Sequence, residues 1–305
     1  MADYFSYLTV SMLTVLQDCQ LRFFNAFVRR LTPKKEADFF KWGGLVHKAL
    51  EGVGQMEDTP HMVARLNRWI ENQELRDSER AEYKSMMLTL TGFHQAYIAT
   101  HEVDNLKYEA VESEKVFRFT LPRGGEVRGK LDRIALEKRF NEYFVWEIKT
   151  AASAGETYWR RLALDAQLKT YLLAAQHMGF GHSHRAIYDL CKKPQKKQHV
   201  KETIDEYRLR IGNDYVERQN DLFERRVIPF TQEDLDKHAF MLQDALDVMN
   251  MHFASGLWLP ACASPLHKSS CPYMPLCFGG SEDLYYVREE LSPELEEVED
   301  AADTD

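Results

Sequence analysis

Cysteine is scarce in this chain, five residues in 305, and an odd number of scattered thiols gives no basis for a disulfide framework. Long apolar runs are missing too. No stretch approaches the ~18 residues that a membrane span needs, and the N-terminus MADYFSYLTV lacks a basic region followed by an apolar one. A cytoplasmic location without membrane contact is expected. No internal repeat is found. Excess positive charge is also lacking: the net charge is −9, which at first sight speaks against a nucleic-acid partner. Its distribution removes the objection. From Glu282 to the end stand eleven acids against the single base Arg288, which leaves 37 acids and 38 bases over residues 1–281. The body is neutral. Residues 282–305 form an acidic tail, expected to be disordered or loosely docked and able to cover a positive groove or meet a basic protein partner.

What the chain does have is apolar material for a core, 44% of residues with 12% aromatic. Ser6 to Arg30 is apolar at helical spacing and predicts one helix carrying Cys19. After Thr32-Pro33 a second helix is expected from about Ala37 to Leu50, with Gly43, His47 and Glu51 on one stripe. Residues 61–100 read as two more helices. Alternation from about Leu106 predicts a strand, a turn at Pro122 to Gly125, and a hairpin with arms Val127 to Leu136 and Tyr143 to Lys149. A helix from about Glu156 to Met178 follows, with Gln167 and Tyr171 one turn apart. Then come a strand at Ala186 to Leu190, a basic loop, a strand at Glu202 to Arg210, and helices at Asn213 to Arg226 and Gln232 to Phe253. This order predicts a mixed α/β fold, a mixed sheet flanked by helices.

The hairpin carries the chemistry. Asp132 stands in its first arm and Glu147 in its second, and strand alternation puts Glu147 and Lys149 on one face with Trp146 and Ile148 on the other. Two carboxylates on neighbouring strands with an ammonium beside them suit a hard divalent cation held against a phosphate. Taken alone, an acid pair of this kind is more often the charged surface of a solvated hairpin.

Four short motifs change that balance. Gly43-xxx-His47-xxx-Glu51, Gly129-xx-Asp132, Glu147-x-Lys149 and Gln167-xxx-Tyr171 occur in this order on expected helix, strand, strand and helix. In this the chain resembles the RecB-like branch of the PD-(D/E)XK nuclease superfamily, which implies a restriction-endonuclease-like core. Leu131 stands where the family's name-giving proline would be. Cys19 near the start, answered by Cys262, Cys271 and Cys277 near the end, is similar to the iron-sulfur branch, which includes CRISPR-associated RecB-like nucleases, AddB-type nuclease domains and phage exonucleases. The spacing from Cys262 to Cys271 is wider than in several relatives, so His267 is an alternative to Cys262. Four thiolates also suit a structural Zn²⁺. Cys191, in an apolar context, reads as a core thiol.

The resemblance implies a metal-dependent nuclease using Mg²⁺ or Mn²⁺. The implied metal ligands are His47, Asp132, Glu147 and the carbonyl of Ile148. Lys149, Gln167 and Tyr171 join the two acids as the implied catalytic set, and Cys19, Cys262, Cys271 and Cys277 are the implied [4Fe-4S] ligands. Glu109 or Glu112 is a candidate outer acid. Arg160, Arg161 and Lys169, with Lys192, Lys193, Lys196 and Lys197 of the loop, are candidates for phosphate contacts. The implied division is a helical region over 1–105, a nuclease core over 106–210, helices and the cysteine segment over 211–281, and the tail. The leading expectation is a DNA exonuclease of recombination, repair or phage DNA processing, working with a recombination or annealing partner. An endonuclease or end-trimming nuclease within a larger complex is the second, and a non-catalytic DNA-binding scaffold the third.

Overall fold

A computed structural model describes residues 5–34, 38–181, 183–261, 271–292 and 295. Among them, one mixed sheet holds six strands: β1 (Tyr7–Leu8), β3 (Tyr108–Thr120), β4 (Glu126–Glu137), β5 (Glu142–Ala151), β6 (Arg185–Lys192) and β7 (Phe223–Pro229). β3, β4 and β5 form an antiparallel meander, β6 runs parallel to β5, and β7 returns antiparallel. A separate two-stranded ribbon pairs β2 (Leu31–Pro33) with β8 (Tyr285–Val287). The mixed α/β fold read from the sequence is the fold observed.

A core lies on each face of the sheet. Leu131, Ile134, Val145, Tyr188 and Leu190 pack on one side against α7 (Ala166–His177) and α10 (Gln232–Ser255). Ala135, Trp146, Ile148, Ile187 and Cys191 pack on the other against α3 (Asp38–Leu50), α5 (Asp77–Lys107) and α8 (Ile204–Glu217). Cys191 is buried there, as a core thiol should be. α5 and α8 cross where both backbones are glycine: a Cβ on Gly92 would stand 2.2 Å from the Gly212 carbonyl oxygen. No larger residue fits without moving a helix.

Several elements differ from expectation. The expected helix from Ser6 to Arg30 is broken. β1 precedes α1 (Val10–Asp18), and Cys19 is extended and caps α2 (Gln20–Phe23), its Sγ accepting from Arg22 N at 3.4 Å. A π-helical turn, Phe24–Val28, follows. The helix expected over Glu156 to Met178 is two helices, α6 (Glu156–Arg161) and α7, because Asp165 turns extended and caps α7 through Leu168 N at 2.9 Å. The strand expected at Glu202 to Arg210 is instead the start of α8, whose Thr203 and Glu206 form a reciprocal capping box. The helix expected to run to Arg226 stops at Glu217. After α9 (Gln219–Leu222) the chain becomes β7, a strand that buries the guanidinium of Arg225.

Residues 282–292, where a disordered or loosely docked tail is expected to begin, are folded. Glu282 pairs with Arg29 at 2.5 Å, Tyr285 is buried on β8, and Ser292 is buried against the fold. Residues 296–305 lie outside the described residues, as do Cys262 and His267.

Candidate active site

The site begins with a fork in the sheet. β3 holds one edge of β4 along its whole length, from Glu137 to Glu126, so β1 and β5 must share the other edge. β5 pairs with Arg133 to Glu137 and β1 only with Glu126 and Val127. The intervening part of that edge is open, and Asp132 lies at its margin. Beyond the last β4–β5 rung the Ile148 N–H has no ladder partner on β4, and Asp132 Oδ2 accepts it at 2.9 Å. The carboxylate is thereby fixed across the fork. Gly129, three residues earlier, has its own reason: a Cβ there would stand 2.6 Å from the ring of Phe117, which crosses the strand to meet Tyr171 edge to face.

His47 arrives from α3 and sets Nδ1 3.3 Å from Asp132 Oδ1. Glu147 and Lys149 project from the same face of β5 and are in direct ion contact through Glu147 Oε1. Gln167 donates to the Tyr171 hydroxyl at 2.8 Å across one turn of α7, which covers this face. Tyr171 lies within the fields of Glu147 and Asp132. The four motifs therefore converge at the fork. Glu51 begins a 3-10 turn, pairs with Arg65 at 3.3 Å and lies in the fields of Glu114 and Lys130. Neither Glu109, which is exposed, nor Glu112, which pairs with Lys115, is grouped with His47 and Asp132. Glu114 is. This residue has φ 50° and stands between Ser113, opposite Arg133, and Lys115, opposite Leu131. That places it across from Asp132.

His47, Glu114 and Asp132 each offer a ligand atom, all within 4.8 Å of one another. Lys130 pairs with Glu114 at 2.7 Å. Glu147 stands outside this group, yet it is 1% exposed, and its Oε2 has no hydrogen-bond partner among the described residues. A buried carboxylate oxygen without a donor, beside a second carboxylate and a histidine, is the deficit that a hard divalent cation fills.

The titration behaviour follows from the same crowding. Burial and the charge of Asp132 push the Glu147 carboxyl up to about 7, with Lys149 opposing. Burial works in the same direction on Asp132, but His47, Lys149 and the Ile148 N–H outweigh it and hold Asp132 below the usual range. Burial opposes the charge on His47, and Asp132 more than compensates, so that pKa rises. Lys149 rises for a similar reason, through Glu147 and Asp132 against its burial. One acid is held ionised and its neighbour near neutrality, the pattern of a shared site.

The candidate phosphate contacts are not gathered with the acids. Lys169 lies over the ring of Phe230 at 5.8 Å, toward the start of α10. Arg160 is exposed and pairs with Glu156 at 3.5 Å, and Arg161 is exposed. In the loop, Lys192 pairs with Glu224 and Lys196 with the buried carboxylate of Asp214. Cys19 Sγ accepts from Ala261 N at 3.3 Å, and Cys271 is buried. Cys19, Cys271 and Cys277 do not meet at the 4.8 Å that relates His47, Glu114 and Asp132.

With this geometry in view, the chain belongs to the PD-(D/E)XK nuclease superfamily, whose family model matches residues 7–278. That membership makes it a nuclease. No curated protein matches. The solved structure of SSO0001 covers 61% of this chain and 89% of its own at 18% identity, but its TM-score of 0.23 is too low to carry an argument. Among the described residues no helix is long and apolar enough to cross a membrane.

Proposed function

We propose that the chain is a metal-dependent DNA exonuclease of the RecB-like iron-sulfur branch. The observation that carries this reading is the buried Glu147 carboxylate, in ion contact with Lys149 and beside an Asp132 fixed across the fork. In this reading His47, Asp132, Glu147 and the Ile148 carbonyl hold Mg²⁺ or Mn²⁺, with Glu114 as a further acid. The bound ion supplies charge to polarise the phosphate and to lower the pKa of water. The chain's own residues do the positioning. The Ile148 N–H prevents Asp132 from rotating, and His47 orients the second oxygen of that carboxylate. Lys149 carries its charge two residues beyond Glu147, where it orients the attacking water or offsets charge on the phosphate. Gln167 holds the Tyr171 hydroxyl, which burial keeps protonated, so Tyr171 acts as a donor and not as a base.

Linear and circular DNA, labelled at either end, separate the alternatives. With Mg²⁺ or Mn²⁺ we expect stepwise loss of linear substrate and intact circles. Cleavage of circles would replace the exonuclease by the endonuclease or end-trimming reading.

The same proposal assigns Cys19, Cys262, Cys271 and Cys277 to a [4Fe-4S] cluster. Ala261 reaches Cys19, and the chain continues from it into Cys262. Burial raises the Cys271 thiol and the charge of Cys19 adds to that rise, while Tyr285 lies in the field of both Cys271 and Cys277. Such a cluster would staple both chain ends to the nuclease fold. Protein purified without oxygen should be brown, with absorbance near about 400 nm. Cys19→Ser should bleach it and lower its unfolding temperature. A colourless protein holding one equivalent of zinc would exchange the cluster for structural Zn²⁺.

A further inference from the structure

The groups assigned above leave a pair of phenols at the edge of the site unused. Tyr188 on β6 stands beside Glu147 in the parallel ladder and is 3% exposed. Its hydroxyl meets that of Tyr158, on α6, at 2.6 Å. Tyr158 is half-buried and lies in the fields of Lys149, Asp165 and Glu147. Its ring packs edge to face on Trp159 and Tyr188.

Counting protons gives this pair a direction. Two phenols bring two O–H donors to one hydrogen bond, so one proton points elsewhere. If Tyr158 donated, the proton of Tyr188 would be buried with no acceptor among the described residues, at the cost of an unsatisfied polar group. Tyr188 therefore donates, and the proton of Tyr158 is directed out of the pair. The surroundings narrow what accepts it. Asp165 and Glu147, whose fields reach Tyr158, do not accept its proton among the described residues, the Tyr188 hydroxyl being its one hydrogen-bond partner there. An anionic oxygen arriving beside Lys149, whose field reaches Tyr158, is the acceptor that this arrangement suits.

We propose that Tyr158 contacts substrate, its hydroxyl donating to a non-bridging oxygen of the phosphate under attack, with Tyr188 as the positioning residue that fixes its proton. This rests on the nuclease reading above and adds a substrate contact to it. Burial raises the Tyr158 phenol, so it remains protonated at neutral pH and acts by donating a hydrogen bond, not by giving up its proton.

Tyr158→Phe removes the donor and keeps the ring. Its kcat/KM on DNA should fall roughly 10- to 100-fold, the range of a hydrogen bond to a charged group, with the unfolding midpoint unchanged. Tyr188→Phe should lose less, and the double variant should match Tyr158→Phe, because Tyr188 acts only through Tyr158. Affinity for a short oligonucleotide, measured in Ca²⁺, reads the contact without turnover and should weaken severalfold in Tyr158→Phe. Equal rates and equal affinities for wild type and Tyr158→Phe would overturn the proposal, and multiplicative losses in the double variant would overturn the role of Tyr188. Wild-type protein that binds but never cuts, with the affinity difference intact, would sink the nuclease reading and leave this contact standing. No binding by the wild type would remove both.

Discussion

Glu147→Gln should be inactive and, at pH 8 without metal, more stable than the wild type. The loss of activity comes from removing a charged ligand at the fork. Metal-borne charge stabilisation is worth several kcal/mol in a transition state, so a fall of at least ~10³-fold in cleavage is expected. The stability gain has a separate origin. Burial and Asp132 raise the Glu147 carboxyl to about 7 in the folded protein, whereas an unfolded glutamate titrates near ~4.3. Between those values the native state holds the extra proton, so stability falls as pH rises through the window, and the full penalty is present above it. The neutral amide avoids that penalty, about 3–4 kcal/mol at pH 8 and close to nothing at pH 4. Unfolding of both proteins in EDTA at several pH values measures the crossover. Adding Mg²⁺ should stabilise the wild type and leave Glu147→Gln nearly unmoved. Equal pH dependence in the two proteins, or cleavage by the variant at the wild-type rate, would place the shared charge elsewhere.

The acids of this site were legible because their signals are local. A hairpin with Asp132 on one arm and Glu147-x-Lys149 on the other, preceded by a helix bearing His47 and followed by one bearing Gln167 and Tyr171, can be read along the chain, and these residues come together at the fork. Glu114 was not legible. The resemblance suggested Glu109 or Glu112 on the strand before the hairpin, and only the left-handed backbone of Glu114 and the register of β3 on β4 bring it to Asp132. The start of α8 was misread for a different reason. Residues 202–210 alternate well enough to resemble a strand, and the capping box of Thr203 and Glu206 was the better signal. Lys169 shows the limit of spacing arguments: a cation on the helix that covers the site faces away from it once neighbouring helices are placed. The pairing of Tyr158 with Tyr188 likewise depended on a long-range contact that no motif announces.

Asp189→Ala should be the most damaging single change in the sheet, through a group that no sequence pattern marked. Asp189 is buried on β6, on the face of the sheet opposite Glu147, and four groups converge on its carboxylate. These are the Tyr97 hydroxyl, Trp146 Nε1 at 2.8 Å, and Arg225 through Nε at 2.5 Å and Nη2 at 2.8 Å. Burial alone would raise this carboxyl. The bidentate Arg225 fork, with His101 and the Tyr97 hydrogen bond, holds it below the usual range. Arg225, with a side chain 9% exposed, stacks on Trp146 at 4.3 Å, so the same cluster fixes the neighbour of Glu147 from behind. Removing the acid leaves a nearly buried guanidinium with only the partly exposed Asp104, at 3.4 Å, to answer it. Breaking a buried pair in this way costs about 3–5 kcal/mol, much of the ~5–15 kcal/mol by which a domain is stable. The pair's contribution is present above about pH 4, the unfolded value, and is lost as pH falls through the lowered one. Urea unfolding at pH 7 should therefore show the full loss in Asp189→Ala, and the loss should shrink at pH 3. Removing both charges, as Asp189→Ala with Arg225→Met, should recover most of the stability, because the larger part of the cost is the stranded cation and not the absent bond. If Asp189→Ala costs under about 1 kcal/mol, or the double variant is worse than the single, then the hub does not brace β5 and the position of Trp146 must be set by apolar packing alone.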